Sequence, residues 1–98
     1  MNDRFQHIID AIKEKAAATL PEGSQVILFG SRARGNARSD SDWDLLVLVP
    51  GPERLPFAVM RNYGRPIEEL GWEMDEEFNT IVHTFSGWEK RWFLPLYP

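Results

Sequence analysis

The stretch Phe29-Gly30-Ser31-Arg32-Ala33-Arg34-Gly35-Asn36-Ala37-Arg38-Ser39-Asp40-Ser41-Asp42-Trp43-Asp44-Leu45 decides how this chain is read. Before it, Gln25 to Phe29 is a short apolar run following a turn, which suits a buried strand that Gly30 ends. After it, Trp43 to Val49 is a second, stronger strand, closed by Pro50-Gly51-Pro52 because proline cannot continue a ladder. Past Asp44 this strand is apolar on both faces, with Leu46 and Leu48 on one side and Leu45, Val47 and Val49 on the other. Such a pattern predicts a central place in the sheet.

Three features converge between the two strands. Gly30-Ser31 follows a strand and precedes a short segment able to turn helical. Glycine lets the backbone approach a ligand closely, free N–H groups at a helix start favour phosphate, and the Ser31 hydroxyl adds a donor. Taken alone, the same pair also reads as a plain tight turn. Asp42 and Asp44, two residues apart at a strand start, put both carboxylates on one face. Like charges this close repel unless a cation sits between them, and Mg²⁺ is commonly held by carboxylates together with substrate phosphates. The bland alternative is a solvated strand edge, but the rigid apolar strand behind the pair favours a site. Arg32, Arg34 and Arg38 lie between glycine and carboxylates, and arginine suits bidentate phosphate binding. Arg38 reads better as a surface partner of Asp40. Cradle, arginines and carboxylates together point to a nucleoside triphosphate with Mg²⁺.

Working outward, residues 4–20 read as a helix whose Phe5, Ile8, Ile9, Ile12 and Ala16 line one face, stopped by Pro21 and Gly23. Between 53 and 77, Pro56, Gly64, Pro66 and Gly71 predict a short helix near 55–63, a break at Gly64-Arg65 and a second helix near 66–76. Phe78 to Thr84 reads as a third strand. Ser86, with Glu89 three residues on, matches a capping box that opens a helix running to about Trp92. The order is helix, strand, strand, helices, strand, helix.

The chain of 98 residues carries 11 Lys and Arg against 15 Asp and Glu, a net charge of −4, and is 43% hydrophobic. One domain spanning 1–98 is expected at this length. The net acidity argues against binding nucleic acid by bulk charge. Cysteine is absent, which excludes thiolate zinc sites and cysteine nucleophiles and fits a reducing cytoplasm. The longest apolar stretch, Leu45 to Pro50, is far short of the roughly 20 residues that span a bilayer. Six acids within 68–77, with no base among them, read as a solvated face or as a docking surface for a basic partner. Trp88 and Trp92 stand at helical spacing, suited to core packing or to an interface with a partner or a second copy.

Gly30-Ser31, ten residues, then Asp42-x-Asp44 is similar to the signature of the DNA polymerase beta-like nucleotidyltransferase superfamily. The string GSRARGNARSDSDWDLLV resembles in particular the minimal nucleotidyltransferase domains of bacteria and archaea. The resemblance implies an α/β (α+β) fold, a small mixed sheet flanked by helices. It implies that Gly30 and Ser31 hold the triphosphate, with Arg32 and Arg34 beside them. Asp42 and Asp44 would bind two Mg²⁺ ions, and a nucleoside monophosphate, AMP from ATP, would pass to a hydroxyl with release of pyrophosphate. Some minimal domains of this kind are antitoxins that adenylylate a helical HEPN toxin, which makes such a protein a candidate partner. One position departs from the pattern. The family places a third acid on the strand after the connecting helices, and the matching position here is Asn79. Asparagine is neutral and a poor general base. Either Glu77 substitutes as the third catalytic carboxylate, or the domain is a catalytically weak or inactive module that binds nucleotide or a partner.

Overall fold

The computed structural model describes residues 3–35 and 41–92. The elements are α1 (Asp3–Thr19), β1 (Gln25–Phe29), α2 (Ser31–Arg34), β2 (Trp43–Val49), α3 (Phe57–Glu73), β3 (Phe78–Thr84) and α4 (Phe85–Trp92). The three strands form one mixed sheet in the order β1-β2-β3, with β1 antiparallel and β3 parallel to β2. The doubly apolar β2 is therefore central, as its pattern predicts.

Strand alternation divides β2 between two environments. Trp43, Leu45, Val47 and Val49 enter a core shared with Ile8 and Ile12 of α1, Ile67 of α3, and Phe78 and Val82 of β3. Asp44, Leu46 and Leu48 face the other way. On that second face the register aligns Phe29, Asp44 and Asn79 in one row and Ile27, Leu46 and Ile81 in the next. Phe29, Ile27 and Ile81 remain 38–45% exposed, so this face is open at the end where Asp44 stands. Because Ile67 is fully enclosed, Ile67→Ala should destabilise the chain by about 2–5 kcal/mol, read by urea denaturation.

Three sequence expectations are corrected, and the first is that β1, read as a buried strand, lies at the sheet edge with Ile27 and Phe29 exposed. Second, the predicted break at Gly64-Arg65 does not occur, and α3 runs unbroken through Pro66. Pro66 removes one rung of the helix ladder, the bond to the carbonyl of Asn62, which is an exposed residue. The glycines in α3 serve close packing instead. A Cβ on Gly64 would lie 2.6 Å from Thr80 Oγ1, and one on Gly71 would lie 2.8 Å from the Phe78 ring. Small residues here let α3 lie directly on β3. The third correction concerns α4. Its cap is Thr84, whose Oγ1 accepts a 3.0 Å bond from Gly87 N–H, the contact expected three residues after an N-cap. Ser86 instead donates to the Gly51 carbonyl at 3.4 Å. The Glu89 and Trp92 side chains lie outside the described residues, while Trp88 packs on His83 with ring centroids 5.4 Å apart. Among the described residues no helix is long and apolar enough to cross a membrane.

Candidate active site

The end of the sheet where β1 finishes and β2 and β3 begin collects the chemically interesting residues. Gly30 turns the chain out of β1 with φ +78°, a conformation that L side chains rarely adopt. Its backbone is pressed against the Asp44 carboxylate, and a Cβ at this position would collide with Asp44 Oδ2. The glycine turn and the carboxylate are therefore immediate neighbours. Gly30→Ala should cost about 1–2 kcal/mol for the left-handed backbone. It should also push the Asp44 carboxylate aside, read as a change in the Asp44 and Asn79 side-chain resonances by NMR.

Asp42 precedes β2 and is exposed, whereas Asp44 is half-buried within the strand. The register sets Asn79 of β3 beside Asp44. Asn79 Nδ2 donates to Asp42 Oδ2 at 3.2 Å and to Asp44 Oδ1 at 3.5 Å. One carboxamide thus reaches both acids, and the sequence-matched third position does converge on the pair. With its carbonyl turned to the same point, Asn79 would offer oxygen in place of N–H; the two orientations differ only by an amide flip. In that orientation two carboxylates and a carboxamide oxygen would make a hard, all-oxygen donor set of the kind that suits Mg²⁺ or Mn²⁺. Among the described residues no group of three or more His, Cys, Asp or Glu gathers at one point, consistent with asparagine in the third place.

Glu77 lies one residue ahead of β3 and is exposed. Its carbonyl accepts a 2.8 Å bond from Trp43 N–H, which holds its backbone beside the start of β2. Arg34 is exposed on α2. Arg32 is turned inward: its guanidinium lies 4.6 Å from the centre of the Trp43 ring, and Nη2 donates to the Ser41 carbonyl at 2.8 Å. The described backbone carries Ser31 in α2, but its side chain lies outside the described residues, as do Arg38 and Asp40.

The acidic run at 68–77 is not a uniform solvated face. Glu68 Oε2 accepts a 2.6 Å bond from Thr80 and Oε1 meets Arg61 at 3.5 Å. Glu76 is only 9% exposed and accepts from Arg4 at 2.7 Å and from the Trp43 indole N–H at 2.9 Å. Neither Arg4 nor Glu76 announces this role in the sequence, because 72 positions separate them. A hollow of about 540 Å³ lies between α1 and β1, lined by residues such as Ile9, Ala16, Leu20, Val26, Leu28 and Leu45. Val26, Leu28 and Leu45 belong to the opposite sheet face from Asp44, so this apolar groove is separate from the carboxylates.

The site thus consists of a glycine turn set against a two-residue carboxylate pair at one end of a three-stranded mixed sheet. A family model, described as a nucleotidyltransferase domain, matches residues 7–91. The chain belongs to this family, of polymerase beta-like fold, and its general chemistry is nucleotidyl transfer. No match was found among curated proteins or among solved structures.

Proposed function

We propose that this chain transfers a nucleoside monophosphate, AMP from ATP, to a hydroxyl acceptor in a Mg²⁺-dependent reaction. The observation that carries the reading is the meeting of Asp42, Asp44 and Asn79 at the Gly30 turn. Asp42 and Asp44 hold the metal, two ions in the full complement. Bound Mg²⁺ supplies charge neutralisation on the triphosphate and orientation of the α-phosphate. Gly30 and Ser31 receive the triphosphate through their N–H groups and the Ser31 hydroxyl, and Arg34 pairs with its outer oxygens. Arg32 contributes from beneath, holding the turn in place through Trp43 and Ser41. The acceptor oxygen forms a new bond to the α-phosphorus, the bond from that phosphorus to the bridging oxygen breaks, and pyrophosphate leaves. Glu77, the nearest acid along the chain to the Asn79 position, takes the acceptor's proton.

The acceptor we infer is a hydroxyl on a partner protein in the cytoplasm, of the HEPN toxin type met by the minimal domains this chain resembles. The test is label transfer from α-labelled ATP to that class of acceptor, with Asp42→Ala/Asp44→Ala as control. Transfer that persists in the control overturns the reading. A second reading is favoured by the Asn79 amide bonding both carboxylates: a module that binds Mg-nucleotide or a partner with little turnover. Tight binding of Mg-ATP without transfer to any acceptor would select it, whereas Glu77→Gln abolishing a measured transfer would exclude it.

A further inference from the structure

Glu76 has no place in the chemistry above, yet it is the most heavily engaged acid among the described residues. Its Oε2 accepts from Arg4 Nη2 at 2.7 Å and from Arg4 Nε at 3.2 Å, and its Oε1 accepts from Trp43 Nε1 at 2.9 Å. Arg32 Nη2 stands 3.8 Å from the same Oε1. Arg4 Nη2 also donates to the Met74 carbonyl at 2.7 Å, fastening the start of α1 to the α3–β3 connection. The Glu76 and Arg32 side chains are only 9% and 11% exposed, so neither belongs to a solvated surface pair.

The consequence lies at Asp42. This residue precedes the regular ladder of β2, and its backbone is held from both sides by the cluster. Arg32 grips the carbonyl of Ser41 immediately before it, while Glu76 grips the indole of Trp43 immediately after it. Arg32 is itself on α2, two residues from Gly30. A single half-buried carboxylate thus links the phosphate turn, the entrance of β2 and the chain leading into β3.

We propose that Glu76 is a positioning residue that sets the separation between the Gly30 turn and the Asp42/Asp44 pair. It acts through Arg32 and Trp43 and touches no reacting atom. The proposal rests on the reading of Asp42 and Asp44 as metal ligands only for its effect on metal affinity; its effect on backbone order is independent of that reading. Groups that orient metal ligands from behind typically govern affinity or activity by about 10–100-fold.

The test uses the full chain with Glu76→Gln, which keeps the shape and the acceptor for Trp43 but removes the charge facing two guanidiniums. Arg32→Lys is the second variant, since lysine keeps the charge but lacks the planar fork that stacks on Trp43 while bonding Ser41. Two quantities are measured well below the unfolding temperature: amide hydrogen exchange by NMR, and Mn²⁺ affinity by paramagnetic resonance. In either folded variant, exchange at Trp43, whose N–H bonds the Glu77 carbonyl, and at Arg34, whose N–H bonds the Gly30 carbonyl, should accelerate while the core of β2 stays protected, and Mn²⁺ affinity should fall about tenfold. Unchanged exchange at Trp43 and Arg34 in both variants overturns the proposal. So does Mn²⁺ affinity equal to that of the wild type, because a purely structural glutamate would lower the unfolding temperature and leave the ligands in place. Wild-type protein that binds no Mn²⁺ refutes the metal-site reading instead, and the exchange data then decide the positioning role alone.

Discussion

Nucleotidyl transfer by the Asp42→Asn/Asp44→Asn variant is expected to fall by about 10³-fold or more, on the order of 4 kcal/mol of barrier. The size follows from what the pair does together. Two carboxylates within reach of one Asn79 amide concentrate negative charge beside the Gly30 turn, where a triphosphate would otherwise be repelled. Only a bound cation turns that arrangement from repulsive to attractive. Neutral amides of the same shape keep the fold and lose the cation. The unliganded variant should therefore be no less stable than the wild type, and even slightly more so, because the repulsion between the two acids is gone. The wild type should gain about 2.7 kcal/mol at a metal concentration one hundred times its Kd, and the variant none. Thermal denaturation with and without Mn²⁺ reads this directly. Equal metal-induced stabilisation in both proteins would remove Asp42 and Asp44 from the site.

The second large effect is a gain. Asn79→Asp should raise transfer by about 10²-fold, the lower end of what a positioned general base contributes. The substitution nearly preserves volume, and the register sets the new carboxylate beside Asp44, next to the oxygens its amide now meets. Without metal, a third acid adds repulsion, so the variant should unfold at lower temperature in chelator and recover more than the wild type on adding Mn²⁺. Combination with Glu77→Gln separates the two candidates for the base. If Glu77 takes the proton in the native chain, Glu77→Gln abolishes transfer and Asn79→Asp restores it. Failure of Asn79→Asp to increase transfer, with Glu77→Gln inactive, would show that Glu77 already supplies all the base the reaction needs.

Much of this fold is legible residue by residue. Gln25–Phe29 and Trp43–Val49 are short apolar runs bounded by glycine or proline, and Phe78–Thr84 centres on Ile81 and Val82; their limits match the strands of the sheet. Local chemistry sufficed because strand limits are set by residues adjacent in the chain. It did not suffice for α3, where Gly64 and Gly71 look like breakers and act as contact points for Thr80 and Phe78 of β3. Helix propensity is a weak local preference, and close packing on a neighbouring strand outweighs it. The cap of α4 fell to Thr84 for a similar reason: Ser86 and Glu89 form a good local pattern, but β3 runs straight into the helix and delivers Thr84 to the capping position.

The carboxylate pair and the glycine turn were legible in the sequence alone, whereas the third position at Asn79 came from the family resemblance. The spacing of pair and turn is short, alternation along a strand is a property of the backbone, and the motif sits where two strands meet. Only the tertiary structure decided what surrounds them. Parallel pairing of β2 with β3 brought Asn79 onto the two aspartates, and folding of α1 against the α3–β3 connection brought Arg4 to Glu76. The same folding turned Arg32 inward over Trp43 and divided the acids at 68–77 between half-buried Glu68 and Glu76 and four exposed residues. Contacts of this kind depend on distance in space between residues far apart in the chain, and no local rule of spacing or composition encodes them.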